Sequence, residues 1–480
     1  MPDAPIGLDP PTLDPGDWTG LRALGHRMIN DVFAHLETLR DGPVWQRMPD
    51  PLRAGLRTPA PRAPSDPDAV YDDFLRTVQP YATGNLHPGF MGWVHGGGTA
   101  VGMLAELLAA GLDSNLGGRD QAPIEIERQV IRWSAELLGM PPETTGLLVT
   151  GTSLANLIAV LTARRATLGP AVRSHGLAGA PLTAYAAAGV HGCVARAMDM
   201  AGLGTDALRL VPVDAAHRIR PDLLAARIAG DRAAGLRPFL VVGSAGTVDV
   251  GAIDDLDALA DLARDEALWF HVDGAFGAMA ALSPTLRPLL RGIERADSVA
   301  FDFHKWAQVP YDAGCVLVRH PGAQADAFAQ DLAYLHREDR GLAAGHPWPC
   351  DLGPDLSRGF RALKVWMTLR CYGADRLGQV VDQCCATARH LAARVEAEPR
   401  LELCAPVALN VVCFRLRGGD DRLQADLAAD VQESGDAVPS ITRVGGRTVI
   451  RACVVNHRTR NGDVDRMVDA VLRVADARQK

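Results

Sequence analysis

The sequence predicts an α/β protein with a large domain, built on a mainly parallel sheet covered by helices on both faces, and a smaller C-terminal α/β domain. Strand-like and helix-like segments alternate from residue 96 to 319, and the pattern changes past residue 375. Strands that alternate with helices build parallel sheets. We therefore predict an N-terminal helical arm at 1–95, a large domain at 96–375 and a small domain at 376–480.

The arm begins with an amphipathic helix, because apolar residues recur at helical spacing from Trp18 to Leu39. A proline-rich linker follows at residues 57–70. Short apolar segments of the large domain predict buried strands: "GLLVT", "LTAYAAAGV", "PFLVVGSAG", "LWFHVDGA", "SVAFDF" and its hairpin partner "AGCVLVR". In the small domain we expect the helices "VVDQCCATARHLAARVEAE" and "RLQADLAADVQES", a strand pair near "LNVVCFRLRG" and the strand "TVIRACVV".

Composition excludes several classes of protein. The chain has 480 residues, is 48% hydrophobic and carries a net charge of −8 without a long basic run, so nucleic acid and anionic membranes are not expected partners. No apolar run is long enough to span a bilayer, and the acidic, proline-rich N-terminus does not read as a signal peptide. The nine cysteines show no zinc-binding spacing, and their odd number argues against a disulfide framework. We expect no metal site and a reducing, cytoplasmic location.

Lys305 stands out because the chain has only three lysines, Lys305, Lys364 and Lys480, among 49 basic residues. It lies within the apolar and aromatic stretch "AFDFHKWAQVPYDAGCVLVR". Arginine keeps its proton in proteins, whereas lysine can lose it and form a Schiff base with an aldehyde. Lys305 is therefore a candidate for covalent chemistry, while Lys364, in an arginine-rich helical stretch, is expected to be structural.

Two further strand ends carry polar residues where open α/β sheets bind ligands. In "TGTSLANL" a strand leads into Thr152 and Ser153 at a helix start, which is typical of an anion site, although Ser153 alone could be a helix cap. In "HVDGAFG" Asp273 ends an apolar strand and could serve a protonated ring nitrogen or simply cap a turn. An anion site, a ring partner and a reactive lysine on successive strands together predict pyridoxal phosphate.

With these motifs and "FRALKVWMTLRCYG", the chain resembles the group II pyridoxal-phosphate-dependent amino-acid decarboxylases, such as those acting on aromatic amino acids, histidine and glutamate. The resemblance implies fold type I and a homodimer whose N-terminal arm serves dimerisation. It places the Schiff-base lysine at Lys305 and the ring-nitrogen partner at Asp273. It also implies that His191 stacks on the cofactor ring, that Thr247 lies near the cofactor and the substrate carboxylate, and that Ala275 is the small residue packed against the ring. Thr152, Ser153 and His304 match the family's phosphate and cofactor pocket.

The segment "GNLHPGFMGWVHGGG" matches the substrate side of the family's site and offers His87, Trp93 and His95. It permits an aromatic or a bulky cyclic substrate side chain and selects neither. Ordinary roles remain open for these histidines and for His191, which could be loop residues and a helix cap.

Two departures from the family are visible. Asp302 stands where the family often has asparagine near the phosphate, so its role is open. Decarboxylating members also carry a tyrosine in a mobile loop that protonates the substrate carbon. The matching stretch here contains no tyrosine, Tyr334 matches a different family position, and the slot falls within residues 345–349. His346 could supply the proton instead.

We expect a pyridoxal-phosphate-dependent carboxy-lyase that converts an L-amino acid to the amine. Loss of the loop tyrosine is associated in the family with decarboxylation-coupled oxidative deamination, which consumes dioxygen and gives an aldehyde, ammonia and hydrogen peroxide. An aminotransferase on the same scaffold and a cofactor-binding protein without catalysis are further alternatives. An aminotransferase would convert keto acids to amino acids, and a binding protein would leave its cofactor spectrum unchanged by every amino acid.

Overall fold

The computed structural model describes residues 12–479. Most of the acidic N-terminus, on which the signal-peptide interpretation rests, and Lys480 lie outside the described residues. The chain forms two compact units: one comprises the described part of residues 1–42 with 46–83, and the other comprises 43–45 with 84 onwards. Within the described range, no helix combines the length and apolar character needed to cross a bilayer.

The first unit is helical. The amphipathic helix predicted from Trp18 is confirmed, and the Asp17 side chain caps its start by accepting the backbone N–H groups of Thr19 and Gly20. The helices of this unit are α1 (Trp18–Glu37), α2 (Asp50–Gly55) and α3 (Pro67–Thr77).

The second unit contains a seven-stranded sheet in which β1 and β7 are antiparallel and the central strands run parallel. Its strands are β1 (Thr145–Val149), β2 (Leu182–Ala187), β3 (Leu208–Val211), β4 (Arg237–Ser244), β5 (Trp269–Asp273), β6 (Ser298–Asp302) and β7 (Gly314–Val318), in the order β1-β7-β6-β5-β4-β2-β3. The predicted hairpin of β6 and β7 is confirmed. Strand β3 was not predicted, because only four residues form it.

Helices cover both faces of this sheet. On β4, Val241 belongs to one apolar cluster and its neighbours Leu240 and Val242 to another, as expected for a strand buried on both sides. The helices of the second unit are α4 (Ala100–Leu112), α5 (Ala122–Leu138), α6 (Thr152–Leu168), α7 (Val172–His175), α8 (Gly192–Met200), α9 (Pro221–Ala233), α10 (Leu256–Asp265), α11 (Ala323–Phe328), α12 (Arg361–Tyr372), α13 (Ala374–Glu396), α14 (Asp421–Ser434) and α15 (Asn461–Gln479).

The C-terminal region has its own antiparallel sheet, which confirms a smaller α/β layer after the large one. Its strands are β8 (Leu401–Leu403), β9 (Val411–Leu416), β10 (Ser440–Val444) and β11 (Arg447–Cys453), in the order β10-β11-β9-β8. Met91 links a segment near residue 90 to this region, because its N–H donates to Val438 and its carbonyl accepts from Cys453. The domain boundaries at residues 95 and 375 stay predictions.

Candidate active site

A cavity of about 350 Å³ lies at the carboxyl edge of the parallel strands. Many of the residues that line it end or follow β1, β4, β5 and β6, so the sheet brings together the polar strand ends that the sequence separates widely. Of the predicted site residues, those that line the cavity are Trp93, His95, Thr152, Ser153, His191, Thr247, Asp273, Ala275, His304 and Lys305.

Lys305 lies in the turn after β6, and its ammonium group is paired. Its Nζ is 2.8 Å from Oδ2 of Asp302, and the side chain is 23% exposed. Lys364, by contrast, is buried in α12, forms an ion pair with Glu106 and does not line the cavity. The cavity lysine therefore combines access to a ligand with an ion pair that holds its side chain in place.

Asp273 ends β5 as a buried carboxylate whose oxygens are held from the protein side. Oδ1 accepts the Ala275 N–H at 3.1 Å, and Oδ2 accepts the Asn156 side-chain N–H at 3.1 Å. Burial raises the pKa of Asp273, while the charge of Lys305 opposes this effect. A cation in the cavity would stabilise the ionised carboxylate.

The start of α6 forms one end of the cavity. Thr152 donates its backbone N–H to Oδ1 of Asp302 at 2.7 Å. Its hydroxyl is buried and, among the residues that the structure describes, has no hydrogen-bond partner. A buried hydroxyl at a helix start is suited to an anionic ligand group, because such a group supplies the missing acceptor.

Asp302, whose role was left open by the sequence, contacts both the start of α6 and the cavity lysine. One oxygen accepts from Thr152 at the helix start, and the other pairs with Lys305. His304 lies further from Asp302, with Nε2 at 3.7 Å from Oδ2. Burial lowers the pKa of His304 despite the opposing charge of Asp302.

The other predicted cofactor residues are fixed by local bonds. His191 caps α8, where Nδ1 accepts the Cys193 N–H at 3.1 Å. The Thr247 hydroxyl accepts the Ala252 N–H at 3.0 Å, and Nδ1 of His304 accepts the Ala313 N–H at 3.0 Å. These bonds set the orientation of side chains whose remaining atoms face the cavity.

One side of the cavity has an aromatic wall, a name used here for Trp93, His95 and Tyr311, which line the cavity, and Phe90, which packs behind them. His95 is central: its ring stacks on Phe90 at 5.7 Å and on Trp93 at 6.0 Å, and it meets the edge of Tyr311 at 5.8 Å. Burial and the nearby Lys305 charge lower the pKa of His95. A neutral imidazole among aromatic rings favours a flat ligand side chain.

Two predicted residues lie outside this cavity. His87 is buried, and its Nδ1 accepts the Gly89 N–H at 2.9 Å. His346 is exposed in the segment before α12 and does not line the cavity. Their predicted roles in the site stay predictions.

Sequence reasoning missed several residues that line the cavity, among them Tyr311 and Arg451. The Tyr311 ring lies 4.3 Å from that of His304, and burial raises the pKa of its phenol. Arg451 reaches the cavity from β11 and donates to the carbonyls of Gly92 and Val248. A charged residue inside the apolar strand "TVIRACVV" was the available signal for Arg451.

Comparisons with known proteins agree with this geometry. The family model described as "Pyridoxal-dependent decarboxylase conserved domain" matches residues 49–417. An aromatic-L-amino-acid decarboxylase of Bacillus atrophaeus is 32% identical over 92% of each chain, and a phenylacetaldehyde synthase of Arabidopsis thaliana is 29% identical over 92% of this chain and 93% of its own. The crystal structure of Oryza sativa TDC with PLP and tryptamine is similar with a TM-score of 0.88 and 26% identity, covering 96% of this chain and all of that one.

Proposed function

The chain belongs to the pyridoxal-dependent decarboxylase family and is a pyridoxal-phosphate-dependent amino-acid decarboxylase of fold type I, and from this premise we propose that it converts an aromatic L-amino acid to the amine. The aromatic wall is the observation that carries the choice of substrate. Trp93 is 48% exposed and lines the cavity that Lys305 also lines, so its ring is free to stack on a flat substrate side chain. The relatives named for aromatic substrates or products support the same choice.

The residues of the cavity fit the cofactor. Lys305 would form the covalent link, Asp273 would face the ring nitrogen, and Thr152 and Ser153 would hold the phosphate. The buried Thr152 hydroxyl without a protein partner fits that assignment, since a phosphate oxygen would satisfy it. His191, Thr247, Ala275 and His304 would surround the ring. When bound, the cofactor supplies an electron-accepting ring for the electrons that the departing carboxylate leaves behind.

The protein's own charged groups position the reacting groups. The Asp302 carboxylate, 2.8 Å from Nζ of Lys305, holds the lysine side chain at the cavity and balances its positive charge. The Asp273 carboxylate stabilises positive charge at the ring nitrogen, because unlike charges attract strongly where water is excluded. Lys305 would thus bind the cofactor covalently, Asp302 would hold Lys305, and Asp273 would act at the ring nitrogen.

Amine formation also needs an acid that returns a proton to the substrate carbon. His346 stays a candidate from the sequence, and Tyr311 is a second one because it lines the cavity. A phenol is protonated at neutral pH, as a proton donor must be, although the burial that raises the pKa of Tyr311 makes the phenol hold its proton more tightly. We therefore test Tyr311 first as the proton donor to the substrate carbon.

Oxidative decarboxylation to an aldehyde is the second candidate function, because a similar relative is named phenylacetaldehyde synthase. It would consume dioxygen and release ammonia and hydrogen peroxide. Aminotransfer would show itself by conversion of added keto acid to amino acid. We further propose that the protein is a homodimer. We also propose that it works in a reducing cytoplasm, and the nine cysteines, none of them in a disulfide, support this location.

A panel of L-amino acids tests the proposal. Carbon dioxide, amine, aldehyde and peroxide are measured together, with and without dioxygen. We expect an aromatic amino acid to give carbon dioxide and amine in equal amounts, at the same rate without dioxygen. Stoichiometric peroxide with aldehyde would replace the amine proposal by the oxidative one, and preference for an acidic or small amino acid would overturn the proposed substrate.

A further inference from the structure

Asp273 is the end of a hydrogen-bonded chain that runs along β5 through the protein interior. Trp269, His271 and Asp273 alternate along this strand and therefore project from one face of the sheet. Ser298, the register partner of His271 on β6, connects the first two: its Oγ lies 2.8 Å from Nε1 of Trp269 and 2.8 Å from Nδ1 of His271. Asn156 of α6 connects the last two, at 2.6 Å from His271 and 3.1 Å from Asp273.

The direction of the bonds follows from the two ends of the chain. An ionised carboxylate can only accept, so Asn156 turns its N–H₂ group to Asp273 and its Oδ1 to His271, which must donate from Nε2. In a neutral His271 the other ring nitrogen, Nδ1, then carries no hydrogen and accepts from the Ser298 hydroxyl, which itself accepts from the indole N–H of Trp269.

Burial keeps His271 neutral and strengthens the hydrogen bonds of this chain. His271 and Asn156 are almost completely buried, and burial lowers the pKa of His271 to about 4, so it stays neutral at physiological pH. Donors that point the same way polarise one another, and in a low-dielectric interior they strengthen the last bond. That last bond ends on the Asp273 carboxylate, whose own burial disfavours its charge.

We propose that Asn156 and His271 are positioning residues, which act through Asp273 by keeping its carboxylate ionised and aimed at the cofactor's ring nitrogen. The inference rests on the role proposed above for Asp273. It extends the site from the cavity surface to a relay of five residues: Trp269, Ser298, His271, Asn156 and Asp273.

The test follows the protonation of the ring nitrogen in the substrate-free holoenzyme, loaded with cofactor labelled with ¹⁵N at that atom. Asn156→Leu removes the bond to Asp273 while keeping a side chain of similar size. We expect the ¹⁵N shift of the ring nitrogen at neutral pH to move towards the unprotonated value, because a carboxylate that has lost a hydrogen-bond donor competes more strongly for the shared proton. Thr162→Val is the matched control, because Thr162 lies buried on the same helix and its hydroxyl donates only to the backbone of Ile158.

The outcomes distinguish a failure of the role proposed for Asp273 from a failure of the relay. An unprotonated ring nitrogen in the unsubstituted enzyme at neutral pH would contradict the role of Asp273 itself. A protonated nitrogen with the same ¹⁵N shift in Asn156→Leu, Thr162→Val and the unsubstituted enzyme would overturn only the relay.

A second measurement needs no variant and so does not depend on folding of Asn156→Leu. Histidine ¹⁵N spectra of the holoenzyme should show His271 neutral, with its hydrogen on Nε2, from pH 6 to 8. A hydrogen on Nδ1 would reverse the chain and overturn the proposal.

Discussion

The floor of the cavity and its aromatic wall are held together by different interactions. The floor, meaning the relay that ends at Asp273, consists of directional hydrogen bonds between side chains on β5, β6 and α6. The wall consists of ring contacts, and two of its rings, Trp93 and Tyr311, are about half exposed. Hydrogen bonds impose one protonation pattern, whereas ring contacts tolerate exchange of one apolar side chain for another. The floor therefore serves the chemistry common to all substrates, and the wall serves the choice of substrate and product.

Removing the charge at the floor should have the largest effect. Asp273→Asn keeps the shape of the side chain but loses the charge that stabilises the protonated ring nitrogen. We expect kcat to fall on the order of 10²–10³-fold, the usual cost of losing one preorganised electrostatic partner. Cofactor retention, measured by absorbance after gel filtration, should fall much less because the phosphate contacts remain. Near-normal turnover would contradict the assigned role.

Tyr311→Phe tests the wall as a source of the proton. The change keeps the ring contacts and removes the phenol, so amine formation should slow by roughly 10²-fold, in the range of general acid catalysis. Aldehyde and peroxide should rise as a share of product. His346→Ala is the parallel variant: loss of amine there, with Tyr311→Phe unaffected, would assign the acid to His346.

Acid should weaken the floor before it affects the wall. Because burial lowers the pKa of His271 from 6.5 to about 4, the unfolded chain binds a proton there that the folded chain does not. The free energy of unfolding should therefore decrease as pH falls from 6.5 to 4, with this residue contributing up to about 3 kcal/mol. Urea unfolding at pH 7 and pH 5 should show a smaller pH effect in His271→Gln. An identical pH effect in both proteins would contradict the buried neutral state.

The smallest effect is expected at Trp93. Trp93→Leu removes a stacking surface but no charge or proton donor, and aromatic pairs contribute about 0.5–1.5 kcal/mol beyond their buried area. KM for the best aromatic substrate should rise about two- to tenfold with kcat nearly unchanged. A loss of kcat without a change in KM would place Trp93 in the chemistry of the floor instead.

The cofactor residues at the strand ends and part of the wall, Trp93 and His95, could be predicted from the sequence, whereas the relay behind Asp273 could not. Asp273 and Lys305 follow short apolar strands, and the edge of a parallel sheet brings such strand ends together whatever the intervening loops do. Asn156 and His271 were not chosen as site residues, because hydrogen bonds between elements leave no periodic signal. Tyr311 lies in an irregular segment after Lys305, and Arg451 reaches the cavity from a separate sheet. Contacts of that kind depend on tertiary packing.

The position of His346 relative to the cavity also could not be predicted from a periodic sequence pattern. Residues 345–349 follow neither a helical nor a strand period, so alignment to the family alone placed His346 in the site. In the structure this side chain is exposed and outside the cavity.

The central claim is that Lys305 carries the cofactor at the edge of the large sheet, and borohydride reduction of the holoenzyme tests it most directly. Reduction makes the link to lysine permanent, and with three lysines in the chain peptide mapping distinguishes Lys305, Lys364 and Lys480 without ambiguity. The reduced cofactor should be recovered on the Lys305 peptide alone, and Lys305→Ala should yield no adduct. Recovery of the cofactor on Lys364, or an undiminished adduct in Lys305→Ala, would contradict the central claim.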